Sequence, residues 1–549
     1  MHVFEIVIAL LLAGAGLTAL SQRIGTPYPA LVALAGAALA LVPGTPTPVL
    51  DPELALTLFV APVLLDSAFD ASPRDLRANW RNVAGLAIGA VALTVVAVAV
   101  VARWLVPAMP WPAAIALGAI VAPPDAAAAT AVLKELRPPR RILVILEGES
   151  LFNDASALLI YRLAVGVAVS GALSPARVIP LLFVVTLGSA VLGIVLSRLI
   201  ALVIVRIQDV GIAVVVQFCG TFAVWMLAER LHLSGILTVV VFAMMSARRA
   251  GELIPARLRI PSYAVWEFAV FVLNVLAFIL VGFQLKGILG RIDSRTLGTY
   301  AGVAGAISLA TVLARIAWVS FAAALSRWWC RPASAGSVRR DLVGLSNRAA
   351  MVVGWCGMRG IVTLAAALAL PIGDAGERAF PHRDMILFIA FAVVLGTLVI
   401  QGMTLRPLMN VLRLEDDGSV EREVRLARVE TLRAALAATL ASPVGEMSEL
   451  LRQRYQVLLG RAEAELAFDA NGDRDGRAPS GSVAPGERAF DVDRALVQAA
   501  TSAERSRLVA LRADGTIGDA AFQRVENELD LEELHLDQIA RTGDSAGIT

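Results

Sequence analysis

The feature that most restricts this chain is a series of long apolar runs. Residues 83–102 read VAGLAIGAVALTVVAVAVVA, residues 178–197 read VIPLLFVVTLGSAVLGIVLS and residues 385–400 read MILFIAFAVVLGTLVI. Runs of about 18 apolar residues have the length of a bilayer-spanning helix. Only helices and closed barrels satisfy their backbone polar groups in hydrocarbon. A soluble chain of 549 residues would need more polar surface than 17% charged residues can supply. The expected fold is therefore an all-α polytopic membrane protein. Residues 1–20 carry Glu5 and lack a basic start, so they read as a first span and not as a signal peptide.

About thirteen spans are expected: 3–20, 28–42, 54–69, 83–102, 112–134, 141–169, 178–204, 210–228, 233–247, 263–285, 298–325, 349–371 and 385–410. Loop charge tests that count. If odd-numbered spans end in the cytoplasm, inner loops hold Arg23, then Arg74, Arg77 and Arg81, then Arg137, Arg140 and Arg141, and later Arg248, Arg249, Arg339 and Arg340. Outer loops hold fewer, such as Arg103, Arg177 and Arg230. The asymmetry follows the positive-inside rule, with the N-terminus outside and the C-terminus in the cytoplasm of a cell (inner) membrane.

The transmembrane domain is expected over residues 1–413, with repeats at about 3–169 and 210–410. Residues 414–549 are charged, Ala-rich and helical in pattern, with a Gly/Pro/Asp/Ser linker at about 469–487. Asp469, Asn471 and Asp473 hint at a calcium loop, but Arg474 stands where Gly is required and Ser480 where Glu is required. Phe522, Val525, Leu529, Leu536 and Ile539 mark an amphipathic helix that packs within the tail or between subunits. The net charge of +2 is scattered, which gives no nucleic-acid stripe. Neither the cysteines (Cys219, Cys330, Cys356) nor the four histidines have metal or catalytic spacing.

Two spans are interrupted. The fifth carries Pro123, Pro124 and Asp125 in its middle, and interior proline breaks a helix. The twelfth carries Gly354, Gly357, Arg359 and Gly360. The two lie seven spans apart, so they cross in opposite directions, the pattern of an inverted repeat with a midplane site. Each break frees backbone carbonyls that protein, water or a cation must satisfy.

The sixth span brings the polar residues. In LEGESLFNDASALLIYR (146–162), Ser150 and Asp154 share one helix face, and Glu149 and Asn153 share the next. An ionisable group in a span is costly and usually faces an interior cavity. The structural alternative for Asp154 is a carboxylate neutralised by a nearby arginine such as Arg162, against which stands their separation of two turns, about 12 Å along the axis. Glu149 is expected to form a structural ion pair with Arg359, tying the two helices together. Asp66 either serves ions or is simply hydrogen-bonded, and Arg315, Glu267, Asn274 and Gln284 read as structural. A desolvated carboxylate without a fixed cationic partner holds a proton or a cation, not both. No GxxxxGK[ST] run supplies an ATP motor.

With these residues in view, GAIVAPPDAAAATAVLKEL, ILEGESLFNDASALLIYRLA and GMRGIVTLAAALALP resemble the signature segments of monovalent cation/proton antiporters of the NhaP or sodium–proton exchanger kind, over about residues 5–410. The resemblance implies a core domain and a dimerisation domain, a homodimer, and electroneutral exchange by elevator-like movement. It implies that Asp154 carries ion and proton, that Asn153 accompanies electroneutral exchange, that Ser150 is a ligand, and that Glu149 and Arg359 are an ion pair. Asp125 and Pro124 fall on the family's break, with Pro124 where Thr is frequent, and Asp66 falls where many members have Glu. The expected function is secondary exchange of a monovalent cation, foremost Na+, for H+, with no cofactor. The rival readings are a K+/H+ antiporter, an organic-anion transporter using Arg359, an ion channel, or a sensor driven by its tail.

Overall fold

The structure, a computed structural model, describes residues 2–42, 52–136, 138–170, 175–290, 292–329, 346–372, 380–414, 416, 418–441, 446–470 and 494–546. The chain forms two compact units. The first comprises Met1–Arg206, Val214–Arg249 and Val265–Glu415, and the second comprises Ile207–Ala213, Ala250–Ala264 and Asp416–Thr549.

In chain order the main helices up to residue 412 are α1 (His2–Ile24), α2 (Tyr28–Ala40), α3 (Ala61–Asp70), α4 (Val91–Leu105), α5 (Trp111–Val121), α6 (Ala126–Leu136), α7 (Arg140–Ser170), α8 (Pro175–Ile204), α9 (Val210–Arg230), α10 (Gly235–Leu253), α11 (Ala256–Leu289), α12 (Ser294–Trp329), α13 (Asn347–Trp355), α14 (Ile361–Leu368) and α15 (Arg383–Leu412), with short helical or π-helical turns at Pro52–Ala55, Leu56–Val60, Pro73–Ala78, Trp80–Ala84 and Gly85–Ala90. Among the described residues seven helices are long and apolar enough to cross a membrane, and shorter apolar helices cover Ile8–Ile24, Tyr28–Ala40 and Trp111–Val121. The interrupted spans fall short because they are halved. The 11 residues of α5 reach about 16 Å, roughly half the hydrocarbon thickness.

The halving has local causes. Pro123 and Pro124 follow the C-cap Ala122 of α5; neither can donate a backbone N–H, and each ring obstructs the preceding turn. On the other side α13 stops at Trp355, and Cys356 leaves the helical region at φ −71°, ψ 59°. Both halves are nonetheless buried. Leu117, Ile120, Val353 and Leu364 are each at most 1% exposed and belong to one apolar core with α15. Helix α2 crosses α11 so closely that side chains are excluded. A Cβ on Gly282 would lie 2.4 Å from the Ala37 backbone nitrogen, and one on Gly36 would lie 2.6 Å from the Ile279 carbonyl oxygen.

The second unit holds four tail helices, α16 (Ser419–Leu440), α17 (Glu446–Ala470), α18 (Arg494–Ala513) and α19 (Asp519–Ala546). Val424, Leu508, Ile517, Phe522, Val525 and Leu529 form its core, so the three-four stripe on α19 turns inward. The side chains of Leu536 and Ile539, and the expected linker from residue 471 on, lie outside the described residues. Arg259 contributes a buried charge to this unit, with its guanidinium bound bidentately by Asp530 at 2.7 and 2.5 Å and by Glu526 at 3.1 Å.

Replacing Gly282 by Leu should force α2 and α11 apart. Overpacking of this kind costs about 1–3 kcal/mol, which should appear as a lowered thermal unfolding midpoint of the detergent-solubilised protein. An unchanged midpoint would show that the two helices do not pass at this distance.

Candidate functional site

The two helix breaks meet. The Asp125 backbone N–H donates to the Met358 carbonyl at 2.7 Å, joining the α5–α6 break to the α13–α14 break. The carbonyl groups that the breaks release find other partners close by. Arg359, fully buried, donates Nε to the Val121 carbonyl at 3.0 Å, Nη2 to the Ala122 carbonyl at 3.3 Å and Nη1 to the Gly357 carbonyl. Its own backbone N–H donates to Thr397 Oγ1 at 3.1 Å. A helix C-terminus carries partial negative charge, so a guanidinium at the end of α5 is well placed. Asn153 Nδ2 donates to the Pro124 carbonyl at 3.0 Å, so the carbonyl assigned to the cation already accepts one hydrogen bond.

The expected Glu149–Arg359 pair is corrected by the structure. Glu149, 1% exposed, is held by Arg315, 2% exposed, with Arg315 Nη2 donating to Glu149 Oε2 at 2.8 Å and Nη1 engaging Oε1. Arg315 also donates to the Val353 carbonyl at 3.1 Å, so from α12 it ties α7 to α13. Arg359 is left to the carbonyl groups. Sequence spacing marks which helices hold buried charges, but not which arginine lies opposite Glu149. Arg162 reaches Glu229 at 3.2 Å and makes no ion pair with Asp154.

Beside the crossing lies a cavity of about 50 Å³, room for a few water molecules or one partly dehydrated alkali ion. Asp154, Ser150, Asp125, Pro123 and Pro124 line it, together with Ser67, Asn274 and Thr363. Asp154 is 7% exposed and has neither a hydrogen bond nor an ion pair among the described residues. Asp125 folds over the start of α14: a Cβ on Gly360 would lie 1.8 Å from Asp125 Oδ2. Neither Asp66 nor Asn153 lines the cavity. Asn153 Oδ1 is buried without a hydrogen-bond partner among the described residues.

Asn274 was visible in the sequence as a polar residue within a span, but it read as structural. Ser67 and Thr363 gave no signal, because a single hydroxyl in an apolar helix usually bonds its own backbone. The arrangement gathers two carboxylates, three hydroxyls and an amide around a space without an arginine in its lining. That chemistry suits a proton or a small hard cation.

The chain matches the transmembrane sodium/hydrogen exchanger family over residues 6–411. An uncharacterized Na+/H+ exchanger of Mycobacterium tuberculosis is 32% identical over 544 residues, covering 97% of this chain and 96% of the relative. The sodium, potassium, lithium and rubidium/H+ antiporter of Bacillus subtilis is 33% identical over 370 residues, covering 65% of this chain and 54% of the relative. The sodium–proton antiporter MjNhaP1 of Methanocaldococcus jannaschii has a similar fold, with a TM-score of 0.60, 17% identity, and coverage of 75% of this chain and 98% of that one. With the family matched across the whole membrane region, this multi-pass chain belongs to the Na+/H+ exchanger family and is a monovalent cation/proton antiporter.

Proposed function

We propose that Asp154 is the exchanging group and that Na+ is the principal cation. The observation that carries this reading is the isolation of its carboxylate: nearly buried, facing a small cavity with a mostly apolar wall, without a hydrogen bond or ion pair among the described residues. A carboxylate in that position cannot stay bare. It binds a proton, or it binds a cation whose remaining coordination comes from Ser150, Asp125, Asn274 and water. Exposure to one side releases the proton, the cation takes its place, and the loaded site then opens to the other side. Because one side chain carries one positive charge in either form, the cycle moves no net charge.

Asp125 stays in place as a fixed second carboxylate of the site. It is anchored over Gly360 at the start of α14, where helix N-terminal N–H groups favour a carboxylate. Arg359 acts on the frame of the site and not on the ion, since its donors are directed at the Val121, Ala122 and Gly357 carbonyl groups. Asn153 fixes the register of α7 against Pro124. Asp66 stands next to the cavity-lining Ser67 and supports the site from outside its lining. Potassium is the second cation to test, because the Bacillus subtilis relative is named for sodium, potassium, lithium and rubidium. The protein is proposed to work as a homodimer in the cell membrane, N-terminus outside and C-terminus in the cytoplasm.

Three outcomes test this. In proteoliposomes with an internal pH dye, Na+, Li+ and K+ gradients should each be tried at clamped voltage. Wild type should exchange Na+ for H+ at a rate insensitive to voltage, and Asp154→Asn should bring the signal down to that of empty vesicles. Substantial Na+-driven proton flux in the variant would remove Asp154 from this role. Gly360→Ala should push the Asp125 carboxylate away from α14 and weaken exchange while the protein remains folded; wild-type rates would show that the position of Asp125 does not matter. Glu149→Gln should strand a buried arginine, a loss of about 3–5 kcal/mol. That loss should lower the unfolding midpoint far more than it changes the cation concentration at half-maximal exchange, and the reverse pattern would place Glu149 at the ion.

A further inference from the structure

A second cavity of the first unit, about 1090 Å³ against the 50 Å³ of the ion cavity, shares no lining residue with it. It runs along another face of α7. Phe152 and Leu159, which line it, stand about 150° around the helix axis from Asp154. Leu76, Val83, Trp225 and Leu237 belong to its largely apolar wall. Two ion pairs mark its ends. Asp75, on the turn Pro73–Ala78, binds Arg140 at the start of α7 at 2.7 Å, and Leu76 and Arg77 of that turn line the cavity. At the other end Arg162 is bound by Glu229 at 3.2 Å, and both line the cavity. Twenty-two residues of α7 separate Arg140 from Arg162, about 33 Å, the depth of the hydrocarbon layer. The lining residues Trp80, Ile88, Phe152 and Met226 are exposed, so the cavity opens sideways as a cleft. In a membrane-spanning protein such a flank meets lipid. Water in the cleft would find few polar partners, and an empty cleft would forfeit the packing of its wall.

Charge selects the kind of lipid. Arg74, Arg77 and Arg81 gather at the end where α7 starts. All three are exposed and have no ion pair among the described residues, while the neighbouring acid Asp75 is already taken by Arg140. The Arg81 guanidinium lies over the Trp80 ring, 5.7 Å from its centre, an amphipathic pairing suited to the level where hydrocarbon meets headgroups. The other end is nearer to neutral, because Glu229 offsets Arg162 and leaves Arg230 as the one excess charge in the lining there. We propose that this cleft binds an anionic phospholipid of the surrounding membrane, with its phosphate on Arg77, flanked by Arg74 and Arg81, and an acyl chain along Phe152 and Leu159 of α7.

Headgroup and chain contribute separately. One arginine near an anionic headgroup strengthens binding about fivefold and acts on charge alone. The chain is held by apolar burial, which is indifferent to headgroup charge. A phosphate without a chain gains only the first of these. Ala366 of α14 also lines the cleft, so the lipid touches two helices of the ion cavity, α7 and α14, without entering that cavity. The lipid site stands whether or not Asp154 is the exchanging group.

Native mass spectrometry of the full-length protein in detergent, titrated with phosphatidylglycerol or with phosphatidylcholine of the same chains, tests both halves of the site. Wild type should hold one phosphatidylglycerol about tenfold more tightly than phosphatidylcholine. Arg77→Gln should weaken phosphatidylglycerol about fivefold and leave phosphatidylcholine unchanged. Arg74→Gln, Arg77→Gln and Arg81→Gln combined should abolish the preference. Leu237→Trp, which narrows the cleft, should weaken both lipids alike. Arg295→Gln, at an exposed arginine outside the lining, should bind as wild type does, and glycerol phosphate at equal concentration should displace nothing. Equal binding of the two lipids by wild type, or a preference that survives the triple substitution, would overturn the proposal. So would wild-type binding by Leu237→Trp, an Arg295→Gln loss as large as that of Arg77→Gln, or displacement by glycerol phosphate. Because the readout is bound lipid and not transport, failure here is separate from failure of Asp154 as the exchanging group.

Discussion

Backbone groups released inside hydrocarbon must be satisfied by the protein, and the crossing of the two broken helices is where this chain meets that demand. Breaking α5 from α6 and α13 from α14 leaves carbonyl and N–H groups without helical partners at buried positions. Asp125 N–H is satisfied by the Met358 carbonyl, the Pro124 carbonyl by Asn153, and the Val121, Ala122 and Gly357 carbonyls by Arg359. Everything functional is arranged around that solution. Once the main chain is committed, the polar groups left to face the cavity are mainly side chains, and among them Asp154 alone is a carboxylate with no partner in the described residues.

The buried ion pairs serve geometry more than stability. A pair such as Glu149–Arg315 gives back in Coulomb attraction little more than its desolvation costs, so a well-packed apolar pair would hold the helices about as well. What it adds is selectivity of contact: Arg315 reaches Glu149 on α7 and Val353 on α13 simultaneously, and any slip of α12 would leave a bare charge in the core. The ladder in the tail is similar in kind. Asp530 holds Arg259 and Arg505 together, so α18, α19 and the start of α11 have one mutual arrangement.

Much of this was readable from residues alone, for identifiable reasons. Prolines at 123 and 124 break a helix through covalent geometry, which needs no tertiary information. Asp154 stood out because a carboxylate within an apolar run is expensive wherever the helix lies. The partner of Glu149 was not readable. Arg315 and Arg359 are both buried arginines, and choosing between them requires knowing that the released carbonyl groups of α5 lie against Arg359, a distance fact across more than 200 residues. Ser67 and Thr363 escaped for a related reason: a hydroxyl has no cost in a helix that would mark it. In the tail, the stripe of Phe522, Val525 and Leu529 revealed the inward face of α19, but not the ion pairs of Asp530, which join it to Arg259 and Arg505 on two other helices.

These constraints bear on selectivity. A filter built from main-chain carbonyl groups has many oxygens in a set geometry and strips an ion of its water. Here five of the released carbonyls already accept hydrogen bonds from Arg359, Asn153 and Asp125. An ion in the cavity would be coordinated chiefly by carboxylate, hydroxyl and amide side chains and by water it keeps. Side-chain oxygens on separate helices adjust to ionic radius more readily than a carbonyl ring does. Such a site distinguishes a proton from a metal ion sharply, because only the proton bonds covalently to the carboxylate. On the proposed reading, one alkali ion would be told from another by the size of the cavity and by the water the ion keeps.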